Sequence, residues 1–127
     1  MCAESNPMTA LSRPTIVIVG NDPDQVFACQ RVIRDLVGWE YDILLTFSGE
    51  RALAYIRTRN VELLIADEVL FQGMSGHELT DATRITSPQT RVVMATAQAI
   101  PVPQADMTVP LPLASSELAE AVRLLLL

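Results

Sequence analysis

The chain contains no lysine; its nine basic residues are all arginine. Any site that needs a side-chain ammonium is therefore excluded. Cysteine is scarce too, with two residues, which is too few for a disulfide framework. Cys2 lies in a polar N-terminal segment, and Cys29 sits mid-helix on an apolar face, where a small buried thiol is expected. A reducing cytoplasm suits both. His77 is the single histidine. It has no second imidazole with which to bind metal, no Ser-His-Asp or Cys-His set can be assembled around it, and a solvated surface position is expected. Gly20 stands alone, so there is no glycine-rich phosphate cradle. The net charge of −6, the pI of about 4.6 and the lack of an arginine cluster argue against nucleic acid or an anionic membrane as partner. Long apolar runs are missing as well. Residues 1–14 lack the apolar centre of a secretion signal, and Leu124–Leu127 is far too short to span a bilayer.

What is present is a core. Half of the 127 residues are apolar and the mean hydropathy is +0.29, which fits one folded domain. Thr15-Ile-Val-Ile-Val19 is a continuous β-branched run, as in a strand buried on both faces. Gly20-Asn-Asp-Pro-Asp24 turns into a helix: Pro23 suits its first turn, and Asp22 and Asp24 its N-terminus. Val26, Cys29, Ile33 and Leu36 recur at helical spacing, and Gly38 closes that helix. The pattern then predicts strands at 41–47, 61–66, 91–96 and 107–109. It predicts helices after Ser48-Gly49, over 76–85 with Leu79, Ala82 and Thr83 inward, and from Ser115 or Ser116 onward. Trp39 and Tyr41 are expected to cover the core edge beside the second strand. Strict alternation of strand and helix implies a parallel sheet covered on both faces. One crossover departs from that plan. Between Thr96 and Met107, Pro101 and Pro103 forbid regular helix, so the helix there is expected to be short or missing.

The segment 62–76 concentrates the chemistry. An apolar strand ends in Asp67-Glu68, a loop follows, and Gly-Met-Ser-Gly76 leads into a helix. That arrangement puts a carboxylate at the C-terminal tip of a parallel strand, where open α/β sheets hold their sites.

Taken in order, residues 16–24, 48–53, 62–76, 92–99 and 109–113 resemble the conserved stretches of bacterial response-regulator receiver domains, over Thr15 to about Leu126. The resemblance implies a flavodoxin-like fold, a doubly wound five-stranded parallel sheet of order 2-1-3-4-5. It implies a mobile N-terminal tail over 1–14 and a receiver-like domain over 15–127. It also implies a chemistry. An Asp carboxylate takes up a phosphoryl group, Mg²⁺ held by acids offsets the charge, a Lys contacts a phosphoryl oxygen, and a Thr hydroxyl binds the phosphate.

Carried over residue by residue, that set is depleted. The acid-pocket positions fall on Gly20 and Asn21, with Asp22 next along; the Lys position falls on Leu111 and the switch aromatic on Thr108. The switch hydroxyl, Thr96, and the candidate cis-proline, Pro112, remain. Counting forward along the third strand makes Asp67 the acceptor, and counting back from Gly76 makes it Glu68. The forward count is favoured, because buried strand registers slip less than loops. At most weak Mg²⁺ binding at Asn21 and Asp67 is expected, and otherwise no cofactor.

The resulting expectation is a degenerate receiver, or pseudo-receiver: a cytoplasmic, non-enzymatic signalling module acting by protein contact. A missing fourth-crossover helix should uncover apolar surface over the fourth and fifth strands. That surface and the last helix would serve a homodimer or a protein partner, with Val109, Leu113, Val122 and Leu126 as contact residues. A histidine kinase is a candidate partner. Two alternatives stay open: a phosphorylation-competent receiver using Asp67, and a small flavodoxin-like ligand-binding domain.

Overall fold

The computed structural model describes residues 13–71, 73–97, 102–111 and 113–127. Cys2, most of the expected tail, Pro101 and Pro112 lie outside the described residues. Five strands form one sheet: β1 Thr15–Val19, β2 Asp42–Thr46, β3 Val61–Asp67, β4 Arg91–Thr96 and β5 Met107–Pro110. All neighbours pair in parallel, in the order β2-β1-β3-β4-β5. The helices are α1 Pro23–Val37, α2 Gly49–Thr58, α3 Gly76–Thr86 and α4 Ser115–Leu126. The doubly wound, flavodoxin-like arrangement expected from the alternation of elements is the one observed.

Local chemistry explains the boundaries. Asp22 caps α1 by accepting the Asp24 N–H, and Pro23, with no N–H to leave unpaired, follows it. Gly38 ends that helix with a φ of 65°, a value that suits glycine. Ser75 and Glu78 form a reciprocal capping box at α3. Along α3, Leu79, Thr80 and Thr83 are buried and Ala82 only partly so; the two threonine hydroxyls donate to the carbonyls of Gly76 and Leu79. The last helix differs from expectation. Its cap is Ala114, which offers no side-chain acceptor, and Ser115 is already helical.

Two apolar layers enclose the sheet. Val26, Cys29 and Ile33 of α1 and Leu118, Ala121 and Val122 of α4 pack on Ile16, Ile18, Ile65, Val93 and Val109. On the other face Ala52, Leu53, Ile56 and Leu79 pack on Val17, Val19, Leu64 and Val92. Trp39 does not cover the core edge: it is 79% exposed, with the Arg34 guanidinium 4.4 Å from its ring centre. Arg34 is held there because the same side chain donates to the carbonyls of Gly38 and Tyr41. Tyr41 does pack against the α1/α4 layer.

The β4–β5 crossover shows no helix among the described residues, yet β4 is not uncovered. Val92, Val93 and Met94 are fully buried and Ala95 and Thr96 nearly so, which corrects the expected apolar opening over that strand. The described part of the link, residues 102–106, lies across β4 and turns at the bond from the Ala105 N–H to the Val102 carbonyl, 3.1 Å. Val102 is buried, and Ala105 packs on the layer that contains Val92. Asp106 exchanges two bonds with Val92: its N–H donates to the carbonyl at 2.9 Å, and its Oδ2 accepts the Val92 N–H at 2.7 Å. The same Oδ2 accepts from Arg84 at 2.7 Å, while Arg84 Nε reaches the Gln104 carbonyl at 2.8 Å. Burial opposes ionisation of Asp106, but the bonds from Arg84 and the Val92 N–H, with the charges of Arg84 and Arg91, hold its carboxyl below the usual range. Asp106→Ala is expected to lower stability by about 2 kcal/mol, since hydrogen bonds to a charged group are worth roughly 1.5–3 kcal/mol. Urea denaturation checks this, and a midpoint equal to that of the unaltered chain would show that these bonds contribute nothing.

Candidate functional site

The C-terminal ends of β1, β3 and β4 meet at one edge of the sheet and bring Gly20, Asn21, Asp67, Glu68 and Thr96 together. Asp67 is the last residue of β3 and pairs in register with Ala95. Its side chain faces the turn after β1. The Asn21 N–H donates to Asp67 Oδ2 at 3.3 Å, and Gly20 lies so near that a Cβ on it would sit 3.0 Å from the same oxygen. That Cβ would also lie 2.9 Å from Val26 Cγ2. A side chain at position 20 therefore has no room without a local shift.

Asp67 is 8% exposed, and burial pushes its carboxyl above the usual range. The Asn21 N–H works in the opposite direction, and the nearby Asp22 charge adds to the rise. Asp22 itself is committed to capping α1. The side-chain amide of Asn21 donates to the Val69 carbonyl at 2.7 Å, so its nitrogen anchors the loop after β3.

Glu68 points elsewhere. Its N–H donates to the Ala95 carbonyl and its own carbonyl accepts from the Gly76 N–H, at 2.9 and 3.1 Å. Its carboxylate accepts from the Thr96 hydroxyl at 2.5 Å through Oε1 and meets His77 Nε2 at 2.9 Å through Oε2. The Thr96 bond, and then the His77 bond, hold the Glu68 carboxyl below the usual range. His77 is thus not the solvated surface histidine expected from its isolation in sequence; it is half-exposed and tied to Glu68. Pattern reading missed this Glu68–Thr96–His77 group. The available signal was three polar side chains at the end of β3, the end of β4 and the start of α3.

Gly76 explains how the loop fits. A Cβ there would fall 2.0 Å from the Asp67 carbonyl oxygen, so the start of α3 lies directly against the tip of β3. The loop between them takes a further turn at Gly73, where φ is 67°.

The remaining candidate residues are placed as follows. Thr108 Oγ1 accepts the Val102 N–H at 3.2 Å, so it ties down the β4–β5 link. Leu111 donates its N–H to the Thr96 carbonyl, while its side chain packs on the α1/α4 layer, as an apolar group should. Val109 and Val122 are 4% and 0% exposed. They are core residues of the same α1/α4 layer, which corrects their assignment as contact residues. Leu113 and Leu126 are partly buried against the same layer, and the exposed apolar side chains of α4 are Leu124 and Leu127.

The donor set does not fit a hard divalent ion. Mg²⁺ asks for oxygen ligands in octahedral geometry, with carboxylates preferred. Asp67 supplies one carboxylate, Gly20 supplies no side chain, and Asp22 turns one oxygen to the helix cap, accepting the Asp24 N–H. Among the described residues no three acidic, cysteine or histidine side chains gather as a metal set. No described helix is long and apolar enough to cross a membrane.

No protein-family model matches this sequence, and neither does any curated protein. Solved structures do match. The response regulator TrrA of Thermotoga maritima, determined in complex with Mg²⁺-BeF, aligns with a TM-score of 0.77 at 24% identity, over 89% of this chain and 99% of that one. The chemotaxis response regulator CheY4 of Vibrio cholerae aligns with a TM-score of 0.78 at 18% identity, over 91% of this chain and 100% of that one. A CheY-like receiver domain protein from Methanospirillum hungatei JF-1 aligns with a TM-score of 0.75 at 21% identity, over 88% and 92%. What the three share with this chain is the fold.

Proposed function

We propose that this chain, which has the receiver-domain fold of two-component response regulators, is a pseudo-receiver: a signalling module with impaired or absent phosphorylation that works through protein contacts in the cytoplasm and is not an enzyme. The observation that carries this reading is the surroundings of Asp67. The carboxylate is retained at the tip of β3, but Gly20 presses against it where a second acid would be needed. The position that would supply an ammonium is Leu111, whose side chain turns into the core layer. A phosphoryl group on Asp67 would bring negative charge into a buried site where, among the described residues, no metal set gathers and no lysine stands to offset it.

Contact through the last helix agrees with its surface. Leu124 and Leu127 are exposed and Leu126 partly so, which leaves apolar side chains at the C-terminal end of α4 after Val109 and Val122 are assigned to the core. Pro110, on the edge strand, has no N–H to offer to a further strand, so association proceeds by side chains rather than by sheet extension. A homodimer and a separate protein partner, including a histidine kinase, both fit an exposed apolar helix end.

Magnesium titration followed by amide NMR shifts at Asn21, Asp67 and Glu68 tests the reading. The expected dissociation constant is about 1 mM or weaker, equivalent to roughly −4 kcal/mol or less favourable. Saturation at micromolar Mg²⁺ would restore the phosphorylation-competent alternative.

A further inference from the structure

We propose that Glu68 acts as an internal hydrogen-bond acceptor that positions Thr96, holding the tip of β4 in one arrangement without any bound ligand. The inference rests on the reading that Asp67 is not efficiently phosphorylated, and it names what would then set the state of the strand tip.

Both oxygens of the Glu68 carboxylate have a donor from a different element. The Thr96 hydroxyl on β4 lies 2.5 Å from Oε1, and His77 Nε2 at the start of α3 lies 2.9 Å from Oε2. The backbone of Glu68 is fixed on the same two sides, by the Ala95 carbonyl and the Gly76 N–H. A glutamate side chain gives up considerable rotamer freedom when it is held at both oxygens. Charge-assisted bonds offset that loss better than neutral ones do. Thr96 is 1% exposed, so its hydroxyl needs partners inside the protein, and Glu68 brings one across from the neighbouring strand. The carboxylate points away from the Gly20–Asn21 turn, where Asp67 is directed. The two adjacent acids therefore divide the site: Asp67 faces β1, and Glu68 joins β3 to β4 and α3. Glu68 is thus a positioning residue, and His77 is its second anchor. A module that signals by contact would then present this tip in a single state at all times.

The test is NMR on the full chain. In the unaltered protein, three-bond couplings should report one Thr96 χ1 rotamer, and relaxation-dispersion profiles at Ala95, Thr96 and His77 should be flat. Glu68→Ala should average the Thr96 couplings and introduce microsecond-to-millisecond exchange at those amides. Glu68→Gln keeps an acceptor for the hydroxyl and should restore the single rotamer. If Glu68→Ala does not fold, Thr96→Val reads the same contact from the other side, because the Glu68 side-chain couplings should then average. Averaged Thr96 couplings in the unaltered chain, or no change in Glu68→Ala and Thr96→Val, would overturn the proposal. A phosphoryl adduct on Asp67 would overturn the underlying reading instead, while leaving these couplings as they are.

Discussion

Gly76→Ala is expected to destabilise the fold by about 3 kcal/mol, the upper end of the usual cost of overpacking. The added methyl would lie 2.0 Å from the Asp67 carbonyl oxygen, and 3.0 Å from both the Asp67 carbonyl carbon and the Glu68 Cα. All three atoms are backbone. None can swing aside as a side-chain end can, so β3 and α3 must separate. Separation breaks the bond from the Gly76 N–H to the Glu68 carbonyl and moves the strand tip that carries Asp67. The better helix propensity of alanine returns at most about 1 kcal/mol, too little to change the sign. Urea denaturation measures the difference. A loss below about 0.5 kcal/mol, within the range of neutral surface substitutions, would mean that the start of α3 does not rest on the tip of β3.

Incubation with acetyl phosphate and Mg²⁺ is expected to label this chain at least about a hundredfold more slowly than a receiver with a complete acid pocket and lysine. Removal of one fixed donor or cation from a transition-state site costs on the order of 3 kcal/mol. Here Gly20 and Asn21 stand at the acid-pocket positions and Leu111 at the lysine position, and such losses are not summed, because groups that act together are not additive. Burial pushes the Asp67 carboxyl above the usual range, and the Asn21 N–H works in the opposite direction. Intact-mass spectrometry gives the outcome directly. A phosphoryl adduct that forms readily and disappears in Asp67→Asn would establish a competent receiver. One that disappears in Glu68→Gln instead would move the acceptor by one residue.

The acceptor position shows where local pattern ends. Counting from the strand selects Asp67, and counting from Gly76 selects Glu68; both counts are sound, and they disagree by one residue. The β3–β4 ladder runs through Asp67, whose side chain meets the turn after β1, while Glu68, one residue on, bonds across to Thr96. Which acid faces β1 and which faces β4 thus depends on a loop closure that no short window contains. His77 is a similar case: a lone histidine has no partner in sequence, and its partner lies nine residues back, across that loop.

The elements themselves were a local matter. A β-branched run buried on both faces makes β1. Asp22, Pro23 and Gly38 bound α1, Ser75 caps α3, and Pro103 sits in a turn among the described residues of the fourth crossover. The chemical inventory was equally open to reading, since a residue type absent from the chain is absent from every site: with no lysine, no fold could supply an ammonium at position 111. The tertiary structure decided what depends on neighbours distant in sequence. Burial of β4 came from α4 on one face, and on the other from α3 together with the described part of the link, which Asp106 and Arg84 tie down. Val109 and Val122 went to the core because β5 and α4 close on each other. Glu68 was committed to Thr96 because parallel strands bring residues 28 positions apart side by side. Helix and strand periods are set by nearest neighbours along the chain, whereas burial and polar pairing are set by register across it, and register is settled only when the whole sheet assembles.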